Sequence, residues 1–175
     1  IKGNWFHNNG KIDDISPCLF VSPSFPNSTP NYNCTATNNH FWDCDRMAAR
    51  FEVDGGVFTN NTMDGMGEGG IHIKKTRFLT ISNNTFRNFR ITDIVANGIE
   101  MEFEDDLEDG LVTICNNVFE EIGGTAIALN GAQSVVVSGN IIRNCGFDTV
   151  YPAPNGPLNY AAGRSAGDLV NVTKR

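Results

Sequence analysis

The chain is short of basic charge: 13 Lys and Arg stand against 20 Asp and Glu, giving a net charge of −7 and a pI near 4.8. Nucleic acid and anionic membranes both require a basic face, so neither is expected as a partner. No run of eighteen apolar residues occurs, and membrane insertion is not expected either. Among the five cysteines there is no C-x-x-C pair and no Cys/His cluster at zinc spacing, which argues against a structural zinc. A nucleophile elbow of the Ser-His-Asp kind is missing. The glycines of Gly65-Met66-Gly67-Glu68-Gly69-Gly70 lead into a strand pattern, whereas a phosphate loop needs a helix N-terminus. An initiating Met and a signal peptide are also lacking, so a processed or excised chain is expected.

What the chain does have is a repeated phrase built on asparagine. It reads V-F-T-N-N-T-M from Val57, L-T-I-S-N-N-T-F from Leu79, V-T-I-C-N-N-V-F from Val112 and V-V-V-S-G-N-I-I from Val135, with an outlying I-K-G-N-W-F at Ile1. The last Asn of each full copy falls at Asn61, Asn84, Asn117 and Asn140, at intervals of 23, 33 and 23 residues. A period in the twenties made of short strands defines a stacked solenoid. A second phrase, Ile71-His72-Ile73 and again Ile127-Ala128-Leu129, runs thirteen residues ahead of Asn84 and of Asn140. Each coil is too short for a strand, a helix and a strand. Three short strands and three turns fit it, with like strands pairing in parallel about 4.8 Å apart and right-handed crossovers as the default. The expected fold is therefore all-β, a right-handed parallel β-helix with long loops at one corner. Asparagine tolerates left-handed backbone and hydrogen-bonds through its side chain, so stacked copies should form an amide ladder.

The organisation expected is one domain over 1–175, with core coils at about 48–146, a loop insertion at about 7–47 and an irregular C-terminal segment at 147–175. Ile1 enters in mid-phrase, which suggests continuation of the same solenoid beyond both termini. Cys34 with Cys44 is the preferred disulfide, closing the irregular early segment, and Cys145 reads as a small core residue. Sequons at Asn27, Asn33, Asn60, Asn83 and Asn171 mildly favour an extracellular or surface-exposed protein.

The strings G-G-I-H-I, N-G-I-E-M and T-A-I-A-L, each leading to x-V-x-I-x-x-N-x-F/I, resemble the right-handed β-helix repeats of the pectate lyase and polygalacturonase superfamily, over roughly Arg50 to Gly146. That resemblance implies a polysaccharide as the partner, and it is specific for the fold more than for the reaction. In polygalacturonase-like enzymes the catalytic carboxylates occupy phrases similar to N-T-D-G-I-D and G-D-D-C-I-A-I, with a histidine in G-H-G-I-S-I. Here Asn97-Gly98-Ile99-Glu100 and Gly67-Glu68-Gly69-Gly70-Ile71 keep only Glu100 and Glu68, and Thr125 stands in the histidine phrase. The Glu-x-Glu strand also resembles the calcium-binding strand of chondroitinase-B-like and alginate lyases, but Leu107 stands where their lysine is expected.

Function should lie where the repeat breaks. The Asn turn and the next I-x-I strand are normally ten residues apart, as from Asn61 to Ile71. The distance grows to fifteen from Asn84 to Ile99 and forty-seven from Asn4 to Phe51, and no strand is expected after Asn140 until about Leu169. Loops gathered on one corner would wall a groove on the I-x-I sheet. With Ile71 and Ile73 inward, the outward rows read Glu52, His72, Glu100 and Ala128, then Asp54, Lys74, Glu102 and Asn130. His72 between two carboxylates is a candidate acid or proton shuttle.

Glu100 and Glu102 share a face about 6.6 Å apart at the backbone, near the separation of about 6.5–9.5 Å used by inverting glycosidases, while carboxylates on adjacent coils could approach the retaining spacing of about 5–5.5 Å. These two are the catalytic candidates with His72. Glu52, Lys74, Arg50, Glu68, Asn130, Trp42 and Tyr151 are candidate substrate contacts. No cofactor is required, although the acidic run Glu104, Asp105, Asp106, Glu108 and Asp109 offers the oxygen ligands that calcium prefers. A glycoside hydrolase is the favoured reading. A non-catalytic β-helix of the tailspike, surface-fibre or sugar-binding kind, for which a homotrimer is expected, and a calcium-dependent lyase are the alternatives.

Overall fold

The computed structural model describes residues 1–7, 17–21, 31–74, 76–89, 96–102, 111–130, 134–146 and 158–161. Three parallel sheets wind around one core. Sheet 1 holds the I-x-I strands: β2 (Leu19–Val21), β5 (Met47–Phe51), β8 (Gly69–Lys74), β11 (Asn97–Glu102), β14 (Ile127–Asn130) and β17 (Leu158–Ala161). Sheet 2 holds β3 (Asn31–Thr37), β6 (Val53–Thr59), β9 (Arg77–Ser82), β12 (Leu111–Cys115) and β15 (Ser134–Ser138). Sheet 3 holds β1 (Trp5–His7), β4 (His40–Trp42), β7 (Thr62–Asp64), β10 (Thr85–Phe89), β13 (Val118–Ile122) and β16 (Ile141–Cys145).

The corner between sheets 2 and 3 is built by the asparagine phrase, and its two residues divide the work. Asn38, Asn60, Asn83, Asn116 and Gly139 take φ between 55 and 64°, the left-handed bend that turns the chain from sheet 2 into sheet 3. The residue after each, from Asn39 to Asn140, turns inward. Asn84 Oδ1 accepts from the backbone N–H of Asn61 at 2.8 Å and from its Nδ2 at 3.1 Å, while Asn84 Nδ2 donates to Asn117 Oδ1 and to the Phe58 carbonyl, both at 3.0 Å. The pattern runs unbroken from Asn4 through Asn39, Asn61, Asn84 and Asn117 to Asn140. The expected amide ladder is thus present.

Behind the ladder, Phe41, Met63, Phe86 and Phe119 stand in one register row of sheet 3, all fully buried. Phe86 and Phe119 stack at 4.5 Å between ring centroids. Each such ring contributes about 1.5–3 kcal/mol by leaving water. The rings press on sheet 1, where a Cβ added to Gly98 would lie 2.4 Å from the Ala126 carbonyl oxygen and 2.8 Å from the Phe119 ring. Glycine at that point lets the backbone pass under the aromatic stack.

Three expectations need correction. The segment 7–47, read as an insertion, carries β2, β3 and β4. Thr35-Ala36-Thr37-Asn38-Asn39-His40-Phe41 is another copy of the asparagine phrase, disguised because Ala36 stands where other copies have a large apolar residue. The segment 147–175, read as irregular up to about Leu169, contains β17, which pairs with β14 and extends sheet 1 by one strand. The three expected excursions do share one corner, since connections 8–18, 90–96 and 146–157 all join sheet 3 to sheet 1, while 22–30 and 103–110 add long connections from sheet 1 to sheet 2. Finally, no disulfide joins Cys34 to Cys44. Cys34 lies on β3, and the thiol that meets Cys44 is Cys18. Its hydrogen bond with Cys44, together with burial, pushes the Cys18 thiol far above its ordinary range.

Candidate functional site

Sheet 1 owes its outward rows to period-two alternation. Ala49 and Phe51, Ile71 and Ile73, Ile99 and Met101, and Ile127 and Leu129 point into the core and are buried. The residues between them face out. The register pairs Arg50 with His72, His72 with Glu100 and Glu100 with Ala128. His72 is therefore flanked by a guanidinium and a carboxylate, and the expectation of two carboxylates is corrected. The small residue Ala49, not Phe51, lies opposite Ile71, which moves β5 by two positions.

Glu52 follows the end of β5, where its N–H donates to the Val21 carbonyl at 2.8 Å. Its carboxylate accepts from Arg50 Nε at 3.0 Å and Nη2 at 2.5 Å. Arg50 also lies over the Phe20 ring, 5.3 Å from its centroid, so the guanidinium is held from both sides. Asp54, expected in the second row, belongs to sheet 2 and is ion-paired with Arg77.

Glu100 is half-buried, and its Oε2 accepts from Asn97 Nδ2 at 3.3 Å. Asn97 is positioned in turn from the next coil, because its Oδ1 accepts the Thr125 N–H at 2.9 Å. The alternation of the I-x-I strands does not select Asn97 as a site residue. A signal for it exists in the sequence all the same: β8 begins Gly69-Gly70-Ile71 and β11 begins Asn97-Gly98-Ile99, so a side chain appears where the preceding coil has none.

Lys74 pairs with Glu102, and Glu102 with Asn130, in the second outward row. The side chains of Glu102 and Asn130 lie outside what the structure describes, as do Tyr151 and the acidic run 104–109. Glu68 stands on the turn before β8, ion-paired with Arg46. Trp42 is on β4 of sheet 3 and does not belong to the sheet 1 face. Among the described residues no group of three or more His, Cys, Asp or Glu converges to hold a metal ion.

The geometry defines a parallel β-helix solenoid with a polar, ordered row on one sheet. The chain matches the family described as the right handed beta helix region over residues 27–162, and it belongs to that family. No curated protein and no solved structure gives a significant match.

Proposed function

We propose that the protein is an extracellular carbohydrate-active protein, a glycoside hydrolase that holds a polysaccharide across the outer face of sheet 1. The observation that carries this reading is the Arg50–His72–Glu100 row, in which Asn97 orients the Glu100 carboxylate. Glycoside cleavage needs two carboxyl groups flanking the scissile bond. Glu100 and Glu102 stand two positions apart on β11, a spacing that by strand alternation assigns them to one face with backbones about 6.6 Å apart, near the inverting range of about 6.5–9.5 Å. In this reading they serve as general acid and general base, and His72 carries protons between Glu100 and solvent. Arg50, Lys74, Glu52, Glu68, Asn130 and Tyr151 contact sugar hydroxyls. Long connections meet both ends of the sheet 1 strands, the places from which groove walls would rise.

The test is incubation with a panel of neutral and acidic polysaccharides, with and without calcium, reading reducing ends and the absorbance of unsaturated products. Reducing ends without new absorbance, lost in Glu100→Gln and Glu102→Gln, are expected. Wild-type turnover in both variants would remove the assignment. New absorbance that depends on calcium would mean a lyase. Silence across the panel from a trimeric protein would favour a structural or adhesive β-helix.

A further inference from the structure

Away from sheet 1, the outer face of sheet 3 carries the chain's two tryptophans, Trp5 and Trp42, which are 77% and 48% exposed. The His7 ring stacks on Trp42 at 4.6 Å between centroids. Because His7 comes from β1, it braces the indole on that side. Toward β7, the neighbouring strand on the other side, Trp42 borders a cavity of about 310 Å³ whose remaining walls are Asp43, Asp64, Gly65, Asn88, Phe89 and Glu121. This volume is at the lower end of the range of roughly 300–1,000 Å³ for small-molecule sites, which suits one ring better than a chain of them.

The walls come from successive coils at one level, where Asp43, Gly65, Asn88 and Glu121 all take φ between 50 and 74°. Asp64 is held in place by Arg87 Nε at 2.9 Å and Asn88 Nδ2 at 2.7 Å, one on each oxygen. Glu121 Oε1 accepts from Asn144 Nδ2 at 2.6 Å, which leaves its second oxygen for a ligand. The Asp43 carboxylate is exposed and has no hydrogen-bond partner among the described residues. The carboxylates do not converge enough for a metal ion. They are instead separate acceptors around one aromatic face.

A ligand that matches must offer an apolar face to the indole and hydroxyl donors around its edge, and it must carry no negative charge to oppose Asp43 and Glu121. We propose that this cavity is a saccharide site for a single neutral pyranose, stacked on Trp42 and hydrogen-bonded by Asp43 and Glu121. It is separate from the sheet 1 groove and does not depend on hydrolysis there.

Both tryptophans lie on this face, so their emission reports on it without interference from sheet 1. Titration of the full chain with glucose, galactose, mannose and xylose should give a saturable emission change with at least one sugar, and none with galacturonate. By calorimetry, Trp42→Ala should weaken that binding about tenfold or more, the scale of a lost aromatic stack. Asp43→Asn, an exposed change that keeps the fold, should weaken it as well, while Glu100→Gln should bind as wild type. The proposal is overturned if no neutral sugar binds, if galacturonate binds best, or if Trp42→Ala and Asp43→Asn both retain wild-type affinity. Because binding is read directly, failure here is distinct from failure of the hydrolase reading.

Discussion

The two ends of sheet 2 show how differently one chain can treat its corners. Toward sheet 3, each connection from β3, β6, β9, β12 and β15 uses two residues, and the second is always an asparagine of the ladder. Toward sheet 1, the connections range from the single residue Glu52 to the stretch 22–30. The corner between sheets 3 and 1 varies as widely. A corner whose buried amides must meet the next coil cannot change length without orphaning donors and acceptors. Corners free of that demand can lengthen at small entropic cost. The asparagine corner therefore carries stability, and the other two are free to carry function.

The contrast is broken most strongly by a change that removes activity and leaves the ladder intact. Glu100→Gln should lower hydrolytic turnover about a thousandfold, roughly 4 kcal/mol of barrier, with an unchanged urea midpoint. Asn84→Ala is the converse. It deletes the partners of two Asn61 donors in a buried site, and should cost about 3 kcal/mol in urea denaturation while the catalytic rate of the folded protein stays as it was.

Gly98→Ala tests whether the aromatic stack and sheet 1 are in true contact. A Cβ 2.4 Å from the Ala126 carbonyl oxygen should cost about 2 kcal/mol, read from the same denaturation. Asn140→Ala tests the outermost described rung, where Asn117 and the Ile114 carbonyl depend on it and the site is half-exposed, so about 1 kcal/mol is expected.

The smallest effect concerns Cys145 on β16, whose thiol burial pushes up to about 11 from an ordinary 9.0. The raised value favours the protonated thiol in the folded state. Its contribution is therefore full below pH 9.0 and is lost as pH rises toward about 11. Cys145→Ala should flatten the stability profile in that window, and the wild-type thiol should alkylate more slowly than a free cysteine at pH below 9.0.

How far the site is legible in the residues alone follows the same division. Ile71, Ile73, Ile99 and Met101 alternate strictly, so the alternation by itself places His72, Glu100 and Glu102 on the outer face. Phe51 is legible as a core residue, but Ala49 is not, because an alanine facing inward carries no apolar signal beside an arginine and a phenylalanine. That one ambiguity puts Glu52 beside His72 in the sequence pattern, where Arg50 belongs. Trp42 is legible as an aromatic with binding potential, while its sheet is not, since Ala36, in place of a large apolar residue, hides the asparagine phrase that precedes it.

Local residue order sets the coil: which side chains face in, where the asparagine bend falls, and that like strands stack in parallel. Those features are local, set by alternation over a few residues and by the left-handed tolerance of asparagine and glycine. The stacking of the coils in space sets which residue meets which on the next coil, and hence the Arg50–His72–Glu100 row, the Cys18–Cys44 contact and the Trp42 cavity. Register between coils is the accumulated sum of connection lengths and of buried contacts many residues apart, and a shift of two positions preserves every inward and outward assignment while exchanging every neighbour.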